Sequence, residues 1–297
     1  MSLSAMSCKT ILAAAIALGC AGIGFSPLSA AKKMKPEELV NLHLDAIGPA
    51  DARAGMKSRL FRGEGIWRVL LGGRAQLPGA VYGASDGNSI SVRFDTQSNP
   101  TYYGEHLVYD GKDIRILQGF QAGRSPLGQF CMNNKALLRE GLLGGVTSTA
   151  WPLLHLEARG AKLKYAGLKK VEGRELHRLD YKPRKSGGPA KIRLFFEPDT
   201  YRHVQTEYRY EVPGGIGANP DASAGVQNTY ETLTETFSNF QDIDGLMLPA
   251  RWKILYNRSN QGGGPGSMVA EWEFAFNNAV HNQPIDPSMY ELGAAAQ

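Results

Sequence analysis

Alternation of apolar and polar side chains with a period of two is the feature that most constrains the fold. Across residues 88–95, Ile90, Val92 and Phe94 alternate with polar neighbours. Such alternation places the apolar side chains on one face of a strand and the polar ones on the other. Similar runs begin near residues 114, 191, 203, 251 and 268. The pattern predicts a mainly β protein whose sheet has one covered face and one solvated face.

Tight turns separate these runs of alternation. Four acidic-glycine pairs are typical of short hairpins, namely Asp86-Gly87, Asp110-Gly111, Glu172-Gly173 and Asp244-Gly245. Strands joined in sequence order by hairpins form an antiparallel meander. We expect a curled antiparallel sheet of about ten or eleven strands, which forms an incomplete β-barrel because strand twist accumulates.

Two helical regions are predicted beside the strands. Pro36 suits the first turn of a helix, two glutamates follow it, and Gly48-Pro49 ends the apolar stripe. Residues 129–143 also favour a helix, and residues 151–156 can add a short helical piece. We expect this N-terminal helix and this mid-chain segment to cover the inner face of the sheet.

The N-terminus has the three parts of a secretory signal peptide. Lys9 precedes an apolar stretch at residues 11–25, and Ala30 and Ala31 offer small residues for cleavage. The stretch is shorter than the ~20 residues that a membrane-spanning helix needs. We predict a signal peptide at residues 1–31 and a single domain at residues 32–297. A loose lipobox ending at Cys20 leaves a lipid-anchored protein as the alternative.

Cysteine content and charge limit the protein further. Cleavage after the leader leaves Cys131 as the one cysteine, so the fold rests on burial without an internal disulfide. The chain carries 33 lysines and arginines against 28 aspartates and glutamates, a formal net charge of +5. These basic residues are scattered along the sequence, so nucleic acid is not an expected partner.

Motifs for catalysis or metal binding are weak. Residues 83–87 match G-x-S-x-G, but strands flank them, and a hydrolase that uses Ser85 is the least favoured alternative. Residues 242–245 fit a hairpin turn better than a calcium loop. We assign His203 to the polar side of its strand. None of the histidines has metal-ligand spacing, and each is interpreted as a surface or hydrogen-bonding residue: His43, His106, His155, His177, His203 and His281. We expect no catalytic residue, metal or cofactor.

Aromatic and aliphatic side chains on the inner phase of the strands are the remaining feature. A curled sheet of this width can enclose an apolar ligand cavity instead of filling its own interior. We predict that the cavity is lined by Phe94, Ile116, Leu194, Phe196, Tyr208, Trp252, Tyr256, Trp272 and Phe274. A filled core is the alternative for each of them.

Several short motifs, in this order and spacing, resemble the LolA/LolB-like lipoprotein-carrier superfamily of bacterial envelopes, in its broader and less characterised branch. They lie at residues 42–48, 63–67 (GEGIW), 107–112 (LVYDGK), 195–200 (FFEPDT) and 237–249 (FSNFQDIDGLMLP). The resemblance implies an incomplete antiparallel barrel that is closed by helices around an acyl-chain cavity. The arginine that holds the helical lid of those carriers has no clear match, and Arg68 and Arg93 are nearby candidates.

The combined hypothesis is a periplasmic, non-catalytic protein that binds or carries a lipid or the acyl chain of a lipoprotein. A membrane or envelope protein is a further candidate partner. The alternative is an envelope scaffold with the same fold and a filled core, which docks a partner through glycine-rich loops at residues 214–225 and 262–266.

Overall fold

The computed structural model describes residues 34–96, 99–184, 188–212, 228–260 and 266–292. The predicted signal peptide, Cys20, and nearly all of both glycine-rich loops lie outside these residues. Among the described residues, no helix combines the length and the hydrophobicity needed to cross a membrane.

Within the described residues, twelve strands form one antiparallel sheet, as the alternation predicts, although their number exceeds the expected ten or eleven. Glycines interrupt the apolar pattern in the first two strands, which weakens the signal there. The strands are β1 (Ser58–Leu71), β2 (Ala75–Asp86), β3 (Ser89–Asp95), β4 (Gly104–Tyr109), β5 (Ile114–Ile116), β6 (Lys162–Val171), β7 (Arg174–Lys182), β8 (Lys191–Phe196), β9 (His203–Val212), β10 (Thr229–Ile243), β11 (Leu246–Asn260) and β12 (Met268–His281).

The strand order is β5-β4-β3-β2-β1-β12-β11-β10-β9-β8-β7-β6. Two meanders are therefore joined through the pairing of β1 with β12, the first and last strands. The edge strands β5 and β6 are consecutive in the chain and do not pair with each other in the described sheet. The sheet is thus not closed into a barrel, which confirms the predicted incomplete barrel.

Helices lie at the two predicted places. α1 (Pro36–Ile47) has the predicted bounds, and α2 (Ala50–Gly55) follows it. The connection from β5 to β6 contains α3 (Pro126–Asn133), α4 (Ala136–Arg139), 3-10 turns at Gly145–Thr147 and Pro152–His155, and α5 (Leu156–Arg159). We call residues 126–159 the helical cover, and the sheet face beneath it the inner face. A last 3-10 turn is Pro287–Tyr290.

The helix predicted at residues 129–143 is divided into two short helices. Asn134 leaves the helical conformation, with φ −123° and ψ 59°. Its backbone N and its side-chain Nδ2 both donate to the carbonyl oxygen of Phe130, at 3.0 and 3.1 Å. A side-chain amide that satisfies a terminal carbonyl ends α3, because the helix then needs no further turn to bond that group. Gly141, at φ +72°, ends the next turn in the same segment.

The predicted position of His203 on the polar side of β9 is wrong, because its ring is fully buried. Phe196 pairs with His203 while Phe195 pairs with Gln205, so β9 accommodates one extra residue, Val204. A bulge of this kind reverses the side-chain phase on one side of it. His203 therefore points to the inner face, and Val204 joins a small outer cluster with Phe195.

Candidate functional site at the covered inner face

The nine residues predicted to line a cavity all lie in one cluster. They come from β3, β5, β8, β9, β11 and β12, and none is more than 5% exposed. The same cluster contains residues of the helical cover, among them Leu127, Phe130, Leu142 and Trp151. The structure therefore brings the predicted residues together, and the helical cover packs on them.

Aromatic rings form the centre of this inner face. The ring centroids of Phe94 and Phe274 are 5.5 Å apart, and those of Trp252 and Phe274 are 5.3 Å apart. From the helical cover, the ring of Phe130 lies edge-on to Tyr256, with 6.2 Å between centroids. Tilted and edge-on pairs at these distances are favourable aromatic contacts. The surface under the cover is thus mainly apolar and largely aromatic.

Glu235 of β10 is buried beneath the helical cover and bonds to it. Its Oε1 accepts a hydrogen bond from the backbone N of Gly144 at 2.7 Å, and its Oε2 accepts from the Tyr208 hydroxyl at 2.6 Å. Burial raises the pKa of Glu235 from 4.5 to about 7, and these hydrogen bonds lower it by less. The carboxyl group therefore changes its charge near neutral pH while it holds the cover.

Glu105 of β4 makes an equivalent contact at the beginning of α3. Its two carboxyl oxygens accept hydrogen bonds from the hydroxyl groups of Tyr102, at 2.7 Å, and Ser125, at 2.8 Å. Burial raises its pKa to about 7 as well. Burial raises the pKa of the Cys131 thiol, and the charges of Glu105 and Glu235 raise it further. The two carboxyl groups thus act on one region beneath α3.

Arg59 of β1 is the arginine that contacts the helical cover. Its Nη1 donates to the carbonyl oxygen of Val146 at 2.5 Å, and its Nε donates to Nε2 of His281 at 2.9 Å. Burial lowers the pKa of Arg59 to about 9. The candidates suggested by the resemblance have other partners, because Arg68 pairs with Glu271 and Glu273 and Arg93 pairs with Asp95.

A group of buried rings joins the helical cover to α1. Nε1 of Trp151 donates to Nε2 of His43 at 3.1 Å, and Nδ1 of His43 lies 3.1 Å from the carbonyl oxygen of Tyr201. The ring of His203 stacks on Trp151 with centroids 4.6 Å apart. Burial lowers the pKa of His43 to about 4, so this ring is neutral at physiological pH. Within the described residues, no group of three or more potential ligands could hold a metal ion.

The G-x-S-x-G motif is explained by strand packing. Gly83 lies against the ring of Phe61, where a Cβ atom would clash, and Gly87 has the φ of +54° that the hairpin turn requires. The Ser85 side chain is buried, and its Oγ accepts a hydrogen bond from the backbone N of Thr149 at 2.9 Å. Ser85 is therefore a fourth polar anchor of the helical cover, from β2.

The inner face approaches the solvent at one rim of the sheet. A pocket of about 410 Å³ lies between the beginning of α3 and the ends of β10, β11 and β12. Phe130 and Tyr256 line its apolar side, and Glu231 and the exposed residues Arg124 and Arg258 line its polar side. Tyr256 is one of the nine predicted lining residues, so this pocket is the candidate opening to the inner face.

The fold and the site together define an open, twelve-stranded antiparallel sheet with a short-helix cover over an apolar inner face. The chain is similar in structure to a domain named for outer membrane lipoprotein sorting from Vibrio parahaemolyticus and to a LolA superfamily protein from Nitrosomonas europaea. Each match has 11% identity and a TM-score of 0.44, and covers 86% of this chain and 97% of the other. A DUF1329 family protein from Desulfovibrio piger matches at 12% identity and a TM-score of 0.42, over 87% and 98%.

No family model matches the chain, and no curated protein does.

Proposed function

We propose that the protein binds the acyl chain of a lipid or lipoprotein on its inner face, as a non-catalytic carrier of the bacterial envelope. The observation that carries the proposal is that helices, and not strands, cover the inner face. A largely aromatic surface is covered by a segment of short helices, and the strands of the sheet leave it open between β5 and β6. Delivery to the periplasm rests on the predicted signal peptide.

The helical cover can leave the inner face without breaking the sheet. The strand pairs of the sheet extend from β5 at one edge to β6 at the other edge, and the residues of the cover take part in none of these pairs. Its helices contain eight, four and four residues. Isolated helices shorter than about 12 residues are marginal in water, so the cover depends on its contacts with the inner face. A ligand that replaces those contacts can displace it.

An acyl chain of about ten carbons can replace part of the cover. Burial of an acyl chain contributes about 0.8 kcal/mol per CH₂, so about ten carbons contribute roughly 8 kcal/mol. Four leucines of the cover are fully buried and would be exchanged for the chain, namely Leu137, Leu138, Leu142 and Leu143. Each contributes about 2 kcal/mol, so together they also contribute roughly 8 kcal/mol. Displacement of the whole cover would cost more, because Leu127, Phe130 and Trp151 are buried as well, so a chain of this length exchanges with the part of the cover that these leucines form.

The pocket at the rim suits the polar end of such a ligand. Arg124 and Arg258 are cations at the edge of an apolar pocket, and they would pair with a carboxylate or phosphate group. Exchange of both for glutamine should therefore weaken binding of stearate more than binding of stearyl alcohol. The same exchange at Arg62 and Arg74, which are exposed elsewhere, is the matched control.

Two binding measurements test the proposal. Native mass spectrometry of the protein purified from an envelope extract should show a co-purified lipid, and a fluorescent fatty acid should bind with saturation. If no lipid co-purifies and the probe does not bind, the proposal is wrong.

Cys131 reports directly on the helical cover, because its thiol is fully buried beneath α3. In a variant that lacks Cys8 and Cys20, saturating fatty acid at constant pH should increase the rate of thiol labelling. A variant with every cysteine replaced controls for labelling elsewhere. An unchanged labelling rate at saturation would show that the ligand binds without moving the cover.

The second candidate is an envelope scaffold with a filled core. The observation that favours it is the burial of all nine predicted residues under the helical cover. Such a protein would bind neither fatty acid nor fatty alcohol, and its Cys131 would stay protected in the presence of either. The two candidates are thus separated by the same experiments.

A further inference from the structure

The outer face of β6, β7 and β8 carries a large excess of positive charge. Between Lys162 and Arg193 the sequence has eleven lysines and arginines and three acidic residues, whereas the totals for the chain are 33 and 28. The remainder of the chain therefore has more acidic than basic residues. A charge asymmetry of this size indicates a partner of negative charge.

The strand register places five lysines on that outer face, and four of them lie at the end of the strands where Lys162 pairs with Lys182. Tyr181, Ile192 and Leu194 are buried on the inner face, so the residues that alternate with them point outward. These four exposed lysines are Lys162 and Lys164 on β6, Lys182 on β7 and Lys191 on β8, and the fifth is Lys169 near the other end of β6. We call the outer face of these three strands the basic face.

Like charges are directly opposite each other on the basic face. Lys162 pairs in register with Lys182, and Lys191 pairs with Arg209 of β9. Directly opposed like charges destabilise an antiparallel pair, and uncharged residues at these positions would remove the repulsion. A negatively charged partner would offset this repulsion, because its charge would attract each of the opposed basic side chains.

The acidic residues on this face are already paired. Arg178 binds Asp180 at 2.7 Å, and Arg193 binds Glu207 at 2.6 Å. None of the four lysines forms an ion pair with another residue that the structure describes. Their charges therefore remain available to a partner.

A pocket lies beside the basic face, between the facing ends of β7 and β8 and the helical cover, which contributes Ala136 and Leu137 to its lining. Its volume is about 550 Å³, and Asp180 is the acidic residue in its lining. Five basic residues line it, namely Arg178, Lys182, Arg184, Lys191 and Arg193. A recess with this balance of charge suits a phosphate group.

Protection of a sheet edge explains only part of this surface. Lysines on an edge strand deter pairing with a second chain, and this applies to Lys162 and Lys164 on the edge strand β6. Lys182 and Lys191 lie on β7 and β8, which are paired on both sides. Their charges need another explanation.

We propose that the basic face docks the protein on a membrane surface that contains anionic lipids, with the pocket around Lys182 and Lys191 as the site for a lipid phosphate group. A sheet face with clustered lysines gains electrostatic attraction from an anionic leaflet over a distance of about one Debye length. The four exposed lysines have no aromatic residue between them for stacking on bases, which favours a membrane over a nucleic acid.

Vesicle flotation of the full chain tests this proposal. The probe is a vesicle of phosphatidylcholine and phosphatidylglycerol, and pure phosphatidylcholine is the neutral reference. The variant replaces Lys162, Lys164, Lys182 and Lys191 by glutamine. The control variant makes the same change in net charge at exposed positions elsewhere, namely Lys57, Arg62, Lys112 and Lys253.

We expect the basic-face variant to bind anionic vesicles at least about tenfold more weakly than the parent, and the control variant to bind almost as the parent does. Binding of the parent should also decrease as salt is added. Circular dichroism and thermal unfolding would establish that both variants are folded.

Three results would overturn the proposal. The basic-face variant could bind anionic vesicles as tightly as the parent, or both variants could lose binding equally, in which case net charge alone is responsible. The parent could instead bind inorganic phosphate or a single-stranded oligonucleotide but not anionic vesicles, and the basic face would then serve that ligand.

Discussion

Replacement of Glu235 by glutamine should change how stability depends on pH. The buried carboxyl group has a pKa of about 7 in the folded protein and 4.5 as its ordinary value. The folded state therefore binds more protons than the unfolded state between these values, and the contribution of Glu235 to stability is lost as pH rises through this window. The interval corresponds to about 3 kcal/mol, since each pH unit is worth about 1.4 kcal/mol per proton.

Glutamine retains an oxygen for the backbone N of Gly144 but cannot ionise. We expect the unfolding free energy of Glu235→Gln, relative to the parent, to increase by about 3 kcal/mol from pH 4.5 to pH 8. The comparison with the parent is necessary because buried histidines such as His43, with a lowered pKa, act in the opposite direction. Glu105, whose pKa is also about 7, contributes equally to both proteins.

Urea unfolding followed by tryptophan fluorescence at several pH values measures this difference. The same substitution at the exposed residue Glu64 controls for the chemical change itself. A parent-to-variant difference that is constant within about 0.5 kcal/mol across the range would refute the reasoning, because a carboxyl group with a raised pKa must contribute a pH dependence.

Three further substitutions test the contacts of the helical cover. Arg59→Ala should destabilise the protein by about 3 kcal/mol in urea unfolding, because it leaves a buried carbonyl group without its donor, whereas Arg62→Ala at an exposed position should cost less than about 0.5 kcal/mol. Gly141→Ala, at φ +72° and against the backbone of Ala150, should increase labelling of Cys131, while Gly173→Ala, at φ +84° with free space around it, should not. Ser85→Ala should lower stability by about 1–2 kcal/mol, and a loss of lipid-ester hydrolysis instead would support the hydrolase alternative.

The period-two pattern predicts the inner face well, because side-chain direction in a strand follows from position alone. All nine predicted residues are buried there. The pattern predicts the wrong face for His203, because a bulge in β9 reverses the side-chain phase and no residue type in the sequence indicates this bulge. The pairing of β1 with β12 also has no local signal, because it joins residues at opposite ends of the domain.

The polar anchors of the helical cover were not predictable in the same way. Glu235 shares its side-chain phase on β10 with Leu233 and Phe237, but glutamate is typical of a solvated face, so the alternation alone does not identify it as an anchor. Arg59 shares its side-chain phase on β1 with Phe61 and Trp67. Extension of the predicted strand back to Ser58 therefore places Arg59 on the inner face. In the sequence the lysines of the basic face are separated, so they resemble scattered charge. The register of three separate strands is needed to bring them together.

Quenching of tryptophan fluorescence by a brominated fatty acid tests acyl-chain binding on the inner face most directly. Bromine quenches on contact, and Trp252 and Trp272 are fully buried on that face. A variant with Trp67 and Trp151 replaced by phenylalanine leaves only these two reporters, and unbrominated stearate is the control for a change in conformation. We predict saturable quenching of most of the fluorescence by brominated stearate and little by stearate. Bound brominated stearate that leaves the fluorescence unchanged would contradict the account.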